Sequence, residues 1–385
     1  MMPPEPERVS EAATESPDGP SAAWPNDGMA DDFAEDLEEI ELLDDLPAAG
    51  GRVLEMATLV FDIPHLQQRM RVDNYLTQQI KHATRNRVQQ AISEGRVRVN
   101  DVVVSKNSRQ LLAGERLEIT LLRPAPEDLK AQDMPLDILY EDESLLVLHK
   151  PPGIAVHPTY KHWDGTLANG LLAYFRRQLN DPEAKIKPGL IHRLDKDTSG
   201  VLLIGKTPEA KRLLGKQFEY RTTHKVYRAL VWGRPHHNEG LIETNLGLGT
   251  RHRARQVVYP YESRHGKPAR TGWKVLQRFA QGLSLLEVEL FTGRTHQIRA
   301  HMAHLGHPIW GDSLYGGRLE EFPAHHPLSD RQRAALAPLS VLLPRQALHA
   351  AILHFQHPED QRPMRSEAPL PADMQAAIDW LLAQG

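Results

Sequence analysis

The stretch His192-Arg193-Leu194-Asp195-Lys196-Asp197-Thr198-Ser199-Gly200 places an acid among basic side chains, directly before the apolar run Val201-Leu202-Leu203-Ile204. A short, apolar and partly β-branched run of this kind predicts a buried strand. Basic neighbours at the mouth of that strand would keep the Asp195 carboxylate ionised and fixed in place, as a carboxylate nucleophile requires. Locally, a turn in which Asp and Ser side chains satisfy backbone groups explains the stretch equally well.

Composition narrows the class of protein. The chain has 385 residues, which is long enough for two or three domains, and it contains no cysteine. Disulfides, thiolate metal sites and cysteine nucleophiles are therefore excluded. No apolar run reaches the length of a membrane span, and the first residues lack a signal-peptide pattern. We expect a cytoplasmic protein without membrane association, whose covalent chemistry would use oxygen or nitrogen.

Charge is unevenly distributed along the chain. Residues 1–50 hold 15 acidic side chains and one basic side chain, a net charge of −14, whereas the formal charge of the whole chain is −4. The remaining residues therefore carry +10, as expected of a protein that binds a polyanion. Residues 1–60 predict an acidic, mostly disordered tail. A merely solvated tail is favoured over one that mimics nucleic acid and inhibits the protein.

Residues 69–123 predict a small unit of two helices and a hairpin. Apolar side chains at helical spacing mark the helices, Gly95 ends the second one, and Asn100-Asp101 forms the turn of a hairpin over residues 97–104. A further strand is expected over residues 115–121. The unit resembles the S4 RNA-binding domain. The resemblance implies that basic side chains on the second helix and its flanks contact RNA, namely Arg85, Arg87, Arg96 and Arg98.

A charged, proline-containing linker is expected over residues 124–135, and a larger domain over residues 136–385. Short apolar strands dominate that domain, at residues 144–148, 201–204, 226–231 and 283–291, with helices at residues 166–179 and 209–219. Strands and helices do not alternate regularly, which argues against a doubly wound parallel sheet. The prediction is an α+β domain around a mainly antiparallel, mixed sheet.

Further segments accompany the opening stretch. Lys150-Pro151-Pro152-Gly153-Ile154-Ala155-Val156-His157-Pro158 predicts a rigid loop, Lys225-Val226-Tyr227-Arg228 a strand, and Gly293-Arg294-Thr295-His296-Gln297-Ile298-Arg299 a strand end that opens a helix. Together with Gly311-Asp312-Ser313-Leu314-Tyr315-Gly316-Gly317 and Arg345-Gln346-Ala347-Leu348-His349-Ala350, they resemble the RluA-type pseudouridine synthases over roughly residues 70–382. This resemblance displaces the turn-only interpretation of Asp195, and it implies an RNA isomerase that needs no cofactor.

The resemblance also implies a role for each catalytic residue. Asp195 is the carboxylate that attacks the target uridine, whose base detaches from C1′, rotates while bound and rejoins through C5. Arg299 pairs with Asp195, and a neighbouring guanidinium lowers the pKa of a carboxyl group and fixes its direction. Tyr227 stacks on the base and takes part in proton movement. Whether the acid attacks C1′, attacks C6 or assists elimination stays open.

Four further residues are implied to bind the substrate. Arg193 fills the space left when the uridine leaves its helix, a step that costs a few kcal/mol. Ile298 packs against the second face of the base. Arg294 is the fallback partner of Asp195, and His192 completes the set. The implied substrate is a stem-loop of large-subunit (23S) ribosomal RNA or a pre-ribosomal particle, bound by a monomeric enzyme.

Other interpretations remain. A non-catalytic ribosome-assembly factor would have no chemical need for Asp195, Tyr227 and Arg299 together. A glycosidase needs a second acid about 5–10 Å from the first, and no matched acid stands out. Two patterns suggest a metal, the Asp-x-Asp of Asp195 and Asp197 and the histidines at 296, 301, 304 and 307. The Asp pair lacks a third acid nearby, and the histidines lack an acid that would hydrogen bond to them as metal ligands. No metal is therefore predicted.

Overall fold

The computed structural model describes residues 54–64, 69–80, 85–124, 129–158, 164–184, 186–249, 255–321 and 328–384. These residues fall into two compact units, an N-terminal unit that ends at Leu129 and a C-terminal unit that begins at Lys130. The predicted acidic tail, up to residue 53, lies outside the described residues. No described helix is both long enough and apolar enough to cross a membrane.

The N-terminal unit consists of two helices packed on a small antiparallel sheet. The sheet order is β1-β6-β3-β4, and β2 pairs with β5. Apolar side chains of both helices and the sheet form one core that includes Leu76, Ile92 and Ile119. The elements, in chain order, are β1 Leu54–Asp62, β2 Met70–Arg71, α1 Val72–Gln79, α2 Arg85–Ser93, β3 Val97–Val99, β4 Val102–Val103, β5 Gln110–Leu111 and β6 Arg116–Pro124.

The predicted helix–helix–hairpin is present, and the unit has three strands more than expected, β1 and the two-residue strands β2 and β5. Asn100 and Asp101 form the hairpin turn with φ of 47° and 65°, the left-handed backbone that Asn and Asp tolerate best among non-glycine residues. The prediction of a tail over residues 1–60 is wrong at its end, because β1 pairs with β6 from Leu54–Pro124 to Asp62–Arg116. Strand β1 pairs with a strand more than 50 residues away, which leaves no local signal beside the acidic segment.

The C-terminal unit is built around one large sheet of the order β13-β12-β14-β15-β11-β16-β10-β8-β7, with β9 beside β10 and β17 beside β16. Among the described strands, β10 and β16 alone run parallel, which confirms the predicted α+β fold with a mainly antiparallel, mixed sheet. The elements are β7 Ile138–Glu141, β8 Leu145–Lys150, α3 Leu167–Gln178, β9 Gly189–Leu190, β10 Ser199–Gly205, α4 Pro208–Glu219, β11 His224–Trp232, β12 Glu239–Leu248, β13 Gln256–Tyr259, β14 Lys267–Arg278, β15 Leu283–Leu290, α5 Gln297–His304, α6 Asp330–Leu342, β16 Leu348–Gln356, β17 Pro363–Glu367 and α7 Ala372–Ala383.

The centre of this sheet explains the apolar run after the opening stretch. All seven residues of β10 are buried, and β8 pairs with it from Gly200–Lys150 to Gly205–Leu145. A strand covered on both faces shows a continuous apolar run instead of alternation. Helix α4 begins where the Thr207 hydroxyl accepts from the Ala210 amide at 3.1 Å, with Pro208 in its first turn. The residues directly before β10 are therefore held at a fixed position by the pairing of this strand with β8.

Part of the predicted linker over residues 124–135 belongs to the folded units. Pro124 ends β6, and residues 125–128 lie outside the described residues. Beyond them, the Asn169 side chain donates to the Lys130 carbonyl at 2.9 Å, and the Gln132 amide donates to the Asn169 carbonyl at 3.2 Å. Residues 130–135 thus lie against α3, because their backbone groups find partners there.

Candidate active site

Asp195 lies in the loop that leads from β9 into β10. The Thr198 amide donates to the Asp195 carbonyl at 3.0 Å and closes a turn, after which the Gly200 backbone meets both β8 and β16. Gly200 has φ of 124°, and a Cβ there would lie 2.1 Å from the Ala350 carbonyl oxygen. Only glycine fits this junction. The junction fixes Asp195 at the end of the buried strand, as the sequence predicts.

Lys150 anchors the same turn from the other side. Its ammonium is fully buried and donates to the carbonyls of Pro151 at 2.8 Å, Ile154 at 2.8 Å and Lys196 at 2.9 Å. Burial lowers the pKa of Lys150 to about 7, although the nearby carboxylates of Asp197 and Asp195 act to raise it. The lysine of the proline-rich segment therefore joins its own loop to the backbone directly after Asp195.

The segment from Arg345 to His349 holds the remainder of the turn. Gln346 donates to the Thr198 hydroxyl at 2.8 Å, and Ser199 Oγ lies 2.9 Å from His349 Nδ1. Arg345 Nη1 donates to the Asp197 carbonyl at 2.9 Å. The residues that follow Asp195 thus hold the turn in place through these contacts.

Arg299 faces Asp195 from the first turns of α5. Its Nη1 donates to Asp195 Oδ2 at 2.8 Å, while Nε and Nη2 donate to Asp312 at 2.6 and 3.0 Å. Asp312 is fully buried and also accepts from the amides of Leu314 and Tyr315. The Tyr315 ring lies 5.2 Å from the Arg299 guanidinium. Asp312 and the Tyr315 ring therefore hold the guanidinium in one orientation, with Nη1 directed at Asp195.

The electrostatic surroundings keep Asp195 ionised. Burial alone would raise its pKa, but His296, Arg299 and Arg193 outweigh burial and hold the pKa below the usual range. The side chain keeps 26% of its surface exposed, so one oxygen can meet a substrate while Arg299 holds the other. His296 Nε2 lies 3.9 Å from Asp195 Oδ1, and His296 has a left-handed backbone with φ of 54°. Such strain in a non-glycine residue often accompanies a functional site.

Tyr227 is buried near Asp195, and Ile298 is buried in the same turn of α5 as Arg299. Tyr227 lies in β11 opposite Val288 and Ala350, and only 8% of it is exposed. Burial and the nearby Asp195 charge raise the pKa of the Tyr227 hydroxyl, which keeps it protonated. Ile298 precedes Arg299 in α5 and is 4% exposed. The structure thus brings Asp195, Tyr227 and Arg299 together from three separate parts of the chain.

The other predicted substrate-binding residues divide into two groups. Arg193 is exposed and close enough to act on the Asp195 carboxylate. Arg294 donates through Nε to the Pro268 carbonyl at 3.2 Å, whereas the ion pair with Asp195 is made by Arg299. His192 takes part in the packing of the fold, and its contact with substrate stays a prediction. Its ring stacks on Phe218 at 4.6 Å, its Nε2 accepts from the Leu203 amide at 3.0 Å, and burial lowers its pKa to about 3. His192 satisfies a backbone amide of β10 that β9 leaves unpaired.

The predicted RNA-binding arginines of the N-terminal unit also differ from one another. Arg85 donates to the buried carboxylate of Asp73 at 3.1 and 3.2 Å. Arg96 donates to Glu94 at 2.7 Å and to the Thr120 carbonyl at 3.3 Å. Arg98 is exposed on β3, and the side chain of Arg87 lies outside the described residues. Ion pairs therefore fix two of these cations, and Arg98 is the one most open to an external anion among those described.

Neither suggested metal pattern is assembled. The His301 ring lies between the hydroxyls of Thr244 at 2.9 Å and Thr271 at 2.8 Å, where burial lowers its pKa to about 4. No group of three or more His, Asp or Glu side chains placed to hold a metal occurs within the part of the chain that the structure describes. The glycosidase alternative gains no support either, because Asp312, which shares Arg299 with Asp195, is already fully hydrogen bonded.

Sequence reasoning missed the roles of Asp312, Tyr315 and Lys150. All three lie in segments that the sequence marks as distinctive, at 311–317 and 150–158. Their contacts join separate segments of the chain, such as Arg299 with Asp312, 13 residues apart, and Lys150 with Lys196, 46 residues apart. A motif can indicate that such a residue matters, but it does not identify the atom that the side chain binds.

Comparison with known proteins agrees with this geometry. Residues 144–304 match the family of the RNA pseudouridylate synthases, and residues 70–117 match the S4 domain. An uncharacterized RNA pseudouridine synthase from Chlorobaculum parvum is 42% identical over 322 residues, 83% of this chain and 97% of the relative. A ribosomal large subunit pseudouridine synthase D from Neisseria meningitidis is 40% identical over 306 residues, 79% of this chain and 76% of the relative.

A solved structure shows the same fold. Human RNA Pseudouridylate Synthase Domain Containing 4 has a TM-score of 0.52 and 22% identity, and the match covers 64% of this chain and 93% of the human chain. The S4 domain, the mainly antiparallel α+β unit and the Asp–Arg pair define an RNA-binding enzyme. The chain belongs to the RNA pseudouridine synthases, the family that its motifs predict.

Proposed function

We propose that this protein isomerises specific uridines to pseudouridine in large-subunit (23S) ribosomal RNA, with Asp195 as the catalytic nucleophile. The observation that carries the proposal is the 2.8 Å ion pair of Asp195 with Arg299, next to the buried Tyr227. The substrate class is supported by relatives named ribosomal large subunit pseudouridine synthase D. One is the protein from Neisseria meningitidis, and another is a protein from Nitrosomonas europaea that is 36% identical over 335 residues.

The reaction exchanges one glycosidic bond for another. The N1–C1′ bond of uridine breaks, a C5–C1′ bond forms, the proton on C5 leaves and N1 gains a proton. No electron or group donor is consumed, so the protein must supply only a nucleophile, proton transfer and a site that holds the detached base. Asp195 is ionised and partly exposed, which suits a carboxylate that acts on the target nucleotide and is then released unchanged.

The neighbouring residues have complementary parts in this proposal. Arg299 keeps Asp195 charged and directed toward the nucleotide. Tyr227 and Ile298 offer two buried surfaces between which a flat base can be held while it turns. Arg193 is exposed next to Asp195, where it can occupy the space that a flipped nucleotide leaves in the RNA stack. Arg98 and its neighbours on the S4 domain would bind the phosphate backbone.

Tritium release tests the proposal directly. RNA transcripts of large-subunit segments, labelled with tritium at uridine C5, lose the label when C5 bonds to the ribose. Wild-type protein is expected to release tritium, and Asp195→Asn to release none above background. Asp137→Asn serves as a matched control, since Asp137 is an exposed acid that pairs with His149 in the same unit. Activity in Asp195→Asn equal to wild type would show that Asp195 is not the nucleophile.

The same assay separates the enzyme from a non-catalytic assembly factor. An assembly factor would bind ribosomal RNA without releasing tritium from any segment of it. Mapping of pseudouridines in ribosomal RNA from a deletion strain then identifies the target positions, because each target uridine loses its modification when the gene is removed. A deletion strain with an unchanged pseudouridine map, together with no tritium release in vitro, would overturn the proposed function.

A further inference from the structure

Lys225 is a lysine with apolar cross-strand neighbours, two residues before Tyr227. The two side chains share one face of β11, since alternate residues of a strand point the same way. On that face the partners of Lys225 are Leu290 in β15 and Leu353 in β16. Its Nζ lies 5.5 Å from the centre of the Phe218 ring. Among the described residues, no acidic side chain forms an ion pair with Lys225.

The acids of the neighbouring strand lie on the opposite face of the sheet. Glu287 pairs with Arg228 at 2.7 Å, and Glu289 pairs with His224 at 2.7 Å. His224 and Arg228 alternate with Lys225 along β11. The strand therefore separates its charges, with matched pairs on one face and a cation without a matching acid on the face that carries Tyr227.

A second cation adds to the positive potential around Lys225. Burial first, and then the Arg221 charge, lower the pKa of Lys225 to about 8, so that it is still mostly protonated at neutral pH. Its ammonium also lies beside Gly293, where a Cβ added to the glycine would be 4.0 Å from Nζ. Gly293 begins the segment that carries His296 and Arg299. The ammonium therefore lies beside the start of the segment whose His296 and Arg299 face the Asp195 carboxylate.

We propose that Lys225 binds a phosphate of the RNA backbone adjacent to the target uridine. The inference rests on the proposed function and adds a backbone contact to it. Residues two apart in a strand are separated by about 7 Å, a spacing that lets one nucleotide place its base against Tyr227 and its phosphate against Lys225. A partly buried cation without an acid partner is stabilised by an anion that arrives with the ligand. Phosphate is the anion that this substrate brings.

A packing role is the competing explanation. The aliphatic stem of Lys225 covers apolar neighbours, and its ammonium can be stabilised by the Phe218 ring alone. Lys225→Met keeps the unbranched stem and removes the charge. Under the packing role this variant binds RNA like wild type. Under the phosphate role it loses a contact, whereas Lys225→Arg retains it.

Salt-dependent binding of the full-length protein to a substrate stem-loop distinguishes the two roles. For Lys225→Met we expect binding about tenfold weaker at moderate salt, and a slope of log affinity against log salt that is smaller by roughly 0.7–0.9. Lys225→Arg and the control Lys211→Met, an exposed lysine of α4, should retain the wild-type slope. An unchanged slope in Lys225→Met would overturn the inference, even if wild-type protein releases tritium from this RNA.

Neutral backbone linkages identify the phosphate. Stem-loops that carry one methylphosphonate on either side of the target uridine lack a single charge. Wild-type protein should bind one of these stem-loops more weakly than the unmodified RNA. Lys225→Met should bind that stem-loop and the unmodified RNA equally well, because the contact is already lost. Additive losses at every linkage tested would contradict a direct contact. Should Lys225→Met be poorly folded, Lys225→Gln allows the same comparison with these RNAs, because it also removes the charge and keeps an unbranched stem.

Discussion

Asp312 holds Arg299 through two hydrogen bonds, 2.6 Å from Nε to Oδ2 and 3.0 Å from Nη2 to Oδ1. Both side chains are almost completely buried, and the remaining arm of Arg299 donates to Asp195. Burial lowers the pKa of a guanidinium, but these two carboxylates raise the pKa of Arg299 above its ordinary value. The orientation of the Asp195 partner is therefore set by a residue that need not touch RNA at all.

The first prediction concerns Asp312→Asn. An amide keeps the shape of the side chain, but one of its two terminal atoms is an NH2 donor and cannot accept from the guanidinium. Arg299 should therefore turn away from its present direction. A misplacement of about 1 Å at a reacting group costs about a hundredfold in rate, and we expect a loss of that order in kcat for tritium release. Single-turnover kinetics at saturating protein measures it.

Asp133→Asn is the matched control for Asp312→Asn. Asp133 pairs with Arg177, but it is 79% exposed, and an exposed pair contributes little to stability. We expect wild-type kinetics and an unchanged melting temperature for the control. If Asp312→Asn were as active as the control, the orientation of Arg299 would not depend on Asp312.

The second prediction concerns Lys150→Met. The substitution leaves the carbonyls of Pro151, Ile154 and Lys196 without their shared donor in a buried site. Unsatisfied buried acceptors cost about 1–3 kcal/mol each, so the free energy of unfolding should fall by at least about 3 kcal/mol. Denaturant unfolding measures this loss, and Lys216→Met, an exposed lysine of α4, should change it by less than about 0.5 kcal/mol. Equal stability of both variants would show that the carbonyls have other donors.

The sequence predicts the fold where local pattern is sufficient. The apolar run at 201–204, the Asn100-Asp101 turn and the helices at 166–179 and 209–219 each appear within a few residues of the predicted place. Strand β1 is missed because its register depends on β6, more than 50 residues away in sequence. Pairing between distant strands leaves no local signal in a single sequence.

For the site, the motifs predict which residues come together but not how each is used. Asp195, Tyr227 and Arg299 are placed together as expected. His192 has the same motif context as Asp195, yet its side chain turns toward Phe218, because the Leu203 amide needs an acceptor. Arg85 is diverted in the same way by Asp73. A basic residue in a motif can serve the fold or the ligand, and the buried polar group nearest to it decides which.

The third prediction concerns Gly200→Ala. The new Cβ would lie 2.1 Å from the Ala350 carbonyl oxygen, and the backbone φ of 124° is strained for any L side chain. Strain of this kind costs about 1–3 kcal/mol before the clash is added, so we expect a loss of about 3 kcal/mol or more in unfolding free energy. Tritium release should fall as well, because β10 can no longer hold the turn that carries Asp195.

Gly215→Ala gives the control for Gly200→Ala within the same unit. Gly215 lies inside α4, and a Cβ there would meet no atom within 4 Å. Alanine is favoured over glycine in a helix interior by roughly 0.5–1 kcal/mol, so this variant should be slightly more stable than wild type. Opposite signs for the two variants in one denaturant series are the expected result. A stabilised Gly200→Ala would mean that β10 and β16 can separate without cost.

The fourth prediction is a pH dependence of stability that comes from buried histidines. Burial lowers the pKa of His349 to about 4, and the neutral ring lies between Ser199 Oγ at 2.9 Å and the Ala368 carbonyl at 3.1 Å. An unfolded histidine binds its proton as the pH falls through about 6.5, while native His349 stays neutral down to about 4. The unfolded state thus binds more protons in this window, and stability falls as the pH decreases.

His349→Gln should flatten this dependence. Each histidine of this kind contributes up to about 1.4 kcal/mol per pH unit within the window. His192 and His301 act in the same direction, because burial also lowers their pKa values, to about 3 and about 4. Denaturant unfolding of wild type between pH 6.5 and 4.5 should therefore be steep, and the variant should be flatter by close to one proton. His237→Gln changes an exposed ring and should keep the wild-type slope. If His349→Gln kept the wild-type slope of unfolding free energy against pH, native His349 would already be protonated in this pH window.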